Sequence, residues 1–287
     1  MQPQPEIELS FEQLPSTSIL SLFRRHRGTT LPLIKATCDR VTPFDTLQYN
    51  KICAFPDQEY LAFTYPQLLA APLHYQIVTH PHFPFPAIGM VHVEQKITYI
   101  KKIPKNATLS VITWCDNLIQ VRSGHHFSLH TEVYLEGELY WKGESVVLTK
   151  SLPGHNRAKE KVNPSLDVKH YSLEKKIIVP ENQGRMYAGV SKDWNLIHVH
   201  WIFAKLFGFR RAIVHGMWTL AMAIAWAEEQ GLHITSCHAR FLRPIFLPSK
   251  AILGMIEEGS NMAHVHVLRE DRKKKFLDLS LDISSEG

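Results

Sequence analysis

Asp193, Asn195 and His198 stand close together in DWNLIH, and HGM follows at His215–Met217. A carboxylate and an imidazole that share one water have complementary tasks. One accepts or orients a proton while the other supplies or removes it, and each works near neutral pH only where its surroundings tune it. The carboxamide of Asn195 can donate and accept hydrogen bonds, fixing the loop or the acid without adding charge. A glycine at a helix start, the place expected for Gly216, permits close approach and presents free backbone N–H groups. Such donors can hold a carbonyl oxygen as it gains enolate character. The same residues also fit a bland role: Asp and Asn cap helices, and a His beside Leu196, Ile197 and Val199 can satisfy backbone groups in a core.

These groups need rigid elements around them. MWTLAMAIAWAEEQ reads as a strongly apolar helix ending before Gly231, preceded by the irregular-to-helical DWNLIHVHWIFAKLFGF and by a strand at KKIIVP. Four extended stretches follow: SCHARFLRPIFLP, KAILGMIEEG, NMAHVHVLRED and KKFLDLSLDI. The first half keeps the same order. YPQLLAAPLHYQIVTH reads as a largely apolar helix with Pro72 near its start, and β-branched and aromatic strands follow it: VHVEQKITYI, ATLSVITW, HHFSLHTEVYL and WKGESVVLTK. Setting Ile103–Ala107 beside Leu247–Ala251 gives an offset of 144, which also places Ala71–Pro72–Leu73 beside His215–Gly216–Met217. The expectation is an α+β fold of two copies, each a long apolar helix wrapped by a curved antiparallel sheet. Shifted by the same offset, DxNxxxH lands near LQYNKICAFP, which has no acid-to-His arrangement, so the candidate site belongs to the second copy alone.

Residues 1–40 read as an irregular N-terminal extension, 41–150 as the degenerate first unit, 151–171 as a linker rich in Pro, Gly, Asn and Lys, and 172–287 as the unit with the site. The chain carries 32 Lys plus Arg against 27 Asp plus Glu, for a net charge of +5, a bias that favours an anionic partner without choosing among nucleic acid, a membrane surface and a phosphorylated small molecule. The short basic cluster RRHR at Arg24–Arg27 reads as solvated surface, so no nucleic-acid partner is expected. Four scattered cysteines without a CxxC pair point to a reducing compartment, and no run of 18 apolar residues occurs. A soluble cytoplasmic protein without membrane insertion is expected. The 17 histidines form no HExxH, and His264 and His266 share one sheet face as solvated or packed residues do, so no metal is expected.

The stretch YAGVSKDWNLIHVHWIFAKLFGFRRAIVHGMWTLAMA, Tyr187–Ala223, resembles the MaoC-like acyl dehydratases, also called (R)-specific enoyl-CoA hydratases or hydratase 2, whose usual segment reads roughly YAxxSGDxNPIHxDxxxAxxxGFxxxIxHGM. The resemblance in wording is confined to these residues; the order of elements extends it to a double hotdog fold. It implies a lyase of fatty acid metabolism that reversibly hydrates trans-2-enoyl thioesters of CoA or acyl carrier protein to (R)-3-hydroxyacyl thioesters, without a cofactor. It places the catalytic acid on Asp193, the supporting amide on Asn195 and the catalytic imidazole on His198. The donor to the thioester oxygen falls on Gly216, with His215 and Met217 beside it. Lys192 stands where Gly is usual, Leu196 replaces Pro and His200 takes a frequent Asp position, and Lys192 is expected to set a cation beside the acid. Arg210 and Arg211 either bind CoA phosphates or are plain surface. Thioesterase activity and noncatalytic acyl-thioester binding are the competing readings. Whether YPQLLAAP and HFPFPAIG line an acyl tunnel or seal a core stays open, as does a homodimer.

Overall fold

In LIKATCDRV the small or thiol-bearing Ala36 and Cys38 alternate with Lys35, Thr37 and Asp39, a weak period-2 signal that the polar residues outweigh. In the computed structural model this stretch is nevertheless strand β2 (Leu33–Val41), with Ile34, Ala36 and Cys38 buried, and β1 (Glu6–Phe11) pairs with it in parallel. The N-terminal region is therefore not irregular throughout. The structure describes residues 6–16, 30–149, 170–206 and 208–284; RRHR and most of the expected linker lie outside the described residues.

The chain divides into two compact units. The first comprises the described residues up to Pro43, then Pro66–Gln95, then Ile100 to Thr149. It holds helix α2 (Pro66–Val78) and strands β3 (Val91–Tyr99, up to Gln95), β4 (Leu109–Val121), β5 (Gly124–Leu135) and β6 (Glu138–Thr149). The second comprises Phe44–Tyr65, Lys96–Tyr99 and the described residues from His170. It holds α1 (Thr46–Cys53), β7 (Leu173–Val179), α3 (Gln183–Ser191), α4 (Leu196–Val199), α5 (Trp201–Leu206), α6 (Gly216–Glu229), β8 (His233–Phe241), β9 (Ser249–Glu258), β10 (Met262–Arg269) and β11 (Lys275–Ser284). Strand order runs β2-β4-β5-β6-β3 in the first unit and β7-β9-β10-β11-β8 in the second, the same path in each. Within the second, the β7–β9, β9–β10, β10–β11 and β11–β8 pairs are all antiparallel.

The repeat is thus real in topology, but one offset does not carry it. Gly216 opens α6, whereas Pro72 lies inside α2; Pro66 holds the first helical position, where a missing N–H costs nothing. Burial sustains α2 despite the internal proline: Leu68, Leu69, Leu73 and Ile77 are buried and the helix lies against β2, β4 and β5. Each such side chain contributes roughly 1.5–3 kcal/mol when removed from water. Phe83 of the HFPFP stretch is fully buried and edge-on to Phe127 at 5.2 Å, so it fills this core.

Helix α6 buries every residue from Trp218 to Ala227. A helix without a polar face needs neighbours on all sides, and β8, β10 and β11 supply them with Ala239, Val265, Val267, Leu277, Leu279 and Leu281. It ends as the sequence requires: Gly231, at φ 87°, donates to Glu228 O and Leu232 to Ala227 O, a left-handed cap that costs glycine no steric strain. No helix among the described residues is long and apolar enough to cross a membrane.

In the first unit a polar group is buried with the core: His74 of α2 sits opposite Thr131 of β5, Nε2 to Oγ1 2.8 Å. Burial first, and then the neighbouring His92, lower its pKa from 6.5 to about 3. Because the unfolded chain then binds more protons as pH falls, this histidine's contribution is complete above about pH 6.5 and is lost toward pH 3, at about 1.4 kcal/mol per pH unit. Urea titrations across that window should show stability falling with acid, and His74→Gln should flatten the dependence by about that slope. An unchanged slope in the variant would assign the proton uptake elsewhere.

Candidate functional site

The loop between α3 and α4 is built from short side-chain bonds to its own backbone. Lys192 closes α3 in the left-handed region, φ 58°, its N–H donating to Ala188 O. That conformation explains why glycine is usual there. Its ammonium does not sit beside the acid as expected; it reaches Asp45 Oδ2 at 3.2 Å and Gly189 O at 2.7 Å. Asp193 Oδ1 then accepts from the Asn195 N–H, 3.1 Å, and Asn195 Oδ1 accepts from the Ile197 N–H, 3.4 Å. Asn195 is therefore the N-cap of α4, and through α4 it fixes the backbone of His198, whose N–H donates to Asn195 O at 2.9 Å.

His198 Nδ1 lies 2.9 Å from Ile213 O. A carbonyl can only accept, so Nδ1 carries the proton and Nε2 keeps its lone pair. Burial lowers the pKa of this imidazole, and the charge of Asp193 works in the opposite direction. His215 lies beneath it, with ring centroids 3.7 Å apart and planes inclined by 26°. Its Nε2 donates to Asp193 O at 3.0 Å and approaches Asp193 Oδ2 at 3.8 Å, so the residue expected merely as a neighbour holds the acid's backbone. Burial, and then the neighbouring His198, lower its pKa from 6.5 to about 3, which keeps it neutral.

Asp193, His198 and His215 each offer a ligand atom, all within 4.8 Å of one another. Each ring commits one nitrogen to a backbone carbonyl, which fixes its tautomer and leaves the other nitrogen with a lone pair. The arrangement suits proton transfer. Gly216 opens α6, and the first helical bond runs from Thr219 N–H to His215 O, leaving the first-turn N–H groups to other acceptors. A Cβ on Gly216 would stand 3.0 Å from the Phe241 ring. Met217 is half-buried next to it. Arg210 and Arg211 are exposed and lie over Phe246, at 4.6 and 5.9 Å from its centroid.

Several supporting residues escaped the sequence reading. Residues Phe44–Tyr65, where the offset placed a degenerate segment, belong to the unit that holds the site. There α1 packs against α3 and α6, Ile52 O accepts from Trp218 Nε1 at 3.0 Å, and Tyr49 lies 6.3 Å from Tyr187, whose ring lies 5.0 Å from His215. Gly184 is a second omission. A Cβ there would stand 2.0 Å from His198 O, so only glycine lets the α4 turn seat against α3. A glycine within a helix is unfavourable by about 0.5–1 kcal/mol relative to alanine, and that cost was the available signal of a close contact.

Two glycines of α3 therefore respond oppositely to the same change. Gly184→Ala should destabilise by about 2 kcal/mol or more and displace His198. Gly189→Ala, with nothing within 4 Å of the added Cβ, should gain about 0.5–1 kcal/mol. Thermal melts of both variants, with a histidine-resolved NMR spectrum for the first, check the contrast.

A profile described as "MaoC like domain" matches residues 162–274. The 3-hydroxyacyl-thioester dehydratase X of Mycobacterium tuberculosis is 31% identical over 220 residues, covering 76% of this chain and 77% of that protein. The peroxisomal enoyl-CoA hydratase 2 of Arabidopsis thaliana is 26% identical over 221 residues, covering 71% of each. Among solved structures, HtdX of M. tuberculosis superposes with a TM-score of 0.74 at 25% identity, over 86% of this chain and 98% of that one. With two topologically matching helix-and-sheet units, a loop that sets Asp193 beside His198, and this likeness in sequence and structure, the chain belongs to the MaoC-like dehydratase family and has its double hotdog fold.

Proposed function

We propose that the chain is a hydratase and dehydratase that adds water reversibly to trans-2-enoyl thioesters, giving (R)-3-hydroxyacyl thioesters. The observation that carries the proposal is the locked tautomer of His198: with Nδ1–H held by Ile213 O, the free Nε2 is a neutral base beside the Asp193 carboxylate. In hydration, Asp193 and His198 hold one water. Its oxygen bonds to C3 while one proton passes to Nε2, and electron density from the C2–C3 double bond moves onto the thioester oxygen. The N–H of Gly216, at the positive end of α6, would receive that oxygen. The imidazolium, stabilised by the carboxylate, then returns the proton to C2 on the same face, so water is consumed, no other group is lost and the thioester survives. Dehydration is the same path reversed.

His215 supports this reading by holding the Asp193 backbone and by staying uncharged beneath His198, where a second cation would discourage formation of the imidazolium. The substrate is a thioester of CoA or of acyl carrier protein, with Arg210 and Arg211 available to phosphate on either, and no cofactor enters the chemistry. A cytoplasmic setting is part of the same proposal, and the four buried free cysteines fit a reducing compartment.

Purified protein should remove the conjugated enoyl absorbance of trans-2-enoyl-CoA without releasing free thiol. Thiol release instead would make it a thioesterase, and saturable binding without either change would make it a binding protein. Asp193→Asn and His198→Ala should each lower kcat by roughly 10²–10⁴. The wild-type rate should fall as pH drops through the depressed pKa of His198. Because the Asp193 charge raises that pKa, residual activity in Asp193→Asn should show its acid limb at lower pH. An acid limb unmoved by the substitution would separate the two groups and sink the shared-water scheme.

A further inference from the structure

Helix α5 presents its side chains the wrong way round for a surface helix. Ala204 is its one buried residue, while Trp201, Ile202, Phe203 and Leu206 are exposed, Ile202 by 48% and Leu206 by 77%. With about 3.6 residues per turn, Ile202 and Leu206 fall opposite Ala204, so the outward pole of the helix is aliphatic, with Trp201 and Lys205 on one flank and Phe203 on the other. Trp194, in the loop before α4, is also exposed, by 52%. Among the described elements α5 packs chiefly against α4. Large exposed apolar groups gathered in one stretch mark a binding surface.

The charge around them is one-sided. From Arg185 to Arg211 the sequence holds five cations, Arg185, Lys192, Lys205, Arg210 and Arg211, and one carboxylate, Asp193; with Lys192 paired to Asp45, four cations stand against that one carboxylate. Lys205 lies over the Trp201 ring, and Arg210 and Arg211 over Phe246. Aromatic faces steady these cations without neutralising them as carboxylates would. Trp, Phe and Leu beside Lys on one short helix, with Arg210 and Arg211 shortly after it in the chain, is a composition that seats in the headgroup region of a bilayer, and a fluid interface needs no matching groove. A second copy fits less well, because a two-fold contact would set the same cations against themselves.

We propose that α5 and Trp194, with the cations Lys205, Arg210 and Arg211, form a peripheral docking surface for an anionic lipid bilayer. The helix lies in the interface and does not span it. The inference does not depend on the proposed reaction. If both hold, docking brings the DWNLIH loop to the surface where long-chain acyl thioesters partition.

Flotation of the full chain with vesicles tests this directly. The chain should float with phosphatidylcholine vesicles containing phosphatidylglycerol, less well with phosphatidylcholine alone, and progressively less as salt is raised. The double variant Ile202→Ser with Leu206→Ser should lose about ten-fold or more in partitioning, and Lys205→Glu should lose binding to the anionic vesicles. Ile178→Ser, at an equally exposed apolar position on β7, should leave binding unchanged. Circular dichroism shows that each variant is folded. Absence of flotation with the anionic vesicles, or equal flotation of the folded double variant, would overturn the proposal. So would a wild-type dimer in sedimentation that ignores vesicles and that the double variant breaks, which would make the patch a contact between copies.

Discussion

Helix α6 has no face that tolerates water, and the second unit is organised around that constraint. Ten consecutive residues, Trp218 to Ala227, are buried, so the chain must surround the helix with apolar strand faces and add Trp218 to the set of groups tied to α1. The ends of such a helix remain the places where backbone polarity can reach a ligand, because every interior amide is bonded within the helix. The C-terminal end is closed by Gly231. The N-terminal end is left at His215–Gly216, where Asp193 is held by His215. Burial of one element thus decides where polar chemistry can occur.

At that end, electrostatics follow from desolvation. Two stacked imidazoles cannot both be charged at this spacing, and burial favours the neutral form of each. They are not equivalent. His215 is the more deeply buried and is committed to the acid's backbone; His198 is half-buried and committed to Ile213 O, with one nitrogen left over. The carboxylate is the more exposed member of the group, held by the Asn195 N–H of its own loop and approached by His215 Nε2. One group that can be protonated at modest cost is thereby set between a structural neighbour that resists protonation and a charge that rewards it.

Much of this was legible in DWNLIH, HGM and the long apolar run, because capping chemistry, glycine at a helix start and all-round hydrophobicity are local signals. The four strands after each helix were legible for the same reason. What failed was whatever depends on partners distant in sequence. β2 looked irregular because Ala36 and Cys38 are weak apolar markers until a helix covers them. Pro72 suggested a helix start because nothing local reveals that tertiary burial can sustain a proline inside α2. Lys192 seemed poised to perturb the acid, yet Asp45, far away in the chain, takes its charge. Gly184 carried a local cost with no visible reason until the carbonyl of His198 was placed against it.

The membership of Phe44–Tyr65 in the second unit changes what kind of duplication this is. Two tandem copies that each kept their own segments could be cut apart at the connecting stretch and handled as modules. Here the segment bearing Tyr49 and Asp45 is encoded in the first half and packs with α3 and α6 of the second, and the chain returns again for Lys96–Tyr99. A piece beginning after the connection would lack the Ile52 carbonyl that satisfies Trp218 and the Tyr49 ring that lies behind Tyr187 and His215. The second unit has come to depend on segments encoded in the first half, so selection can remake that half freely only outside Phe44–Tyr65 and Lys96–Tyr99.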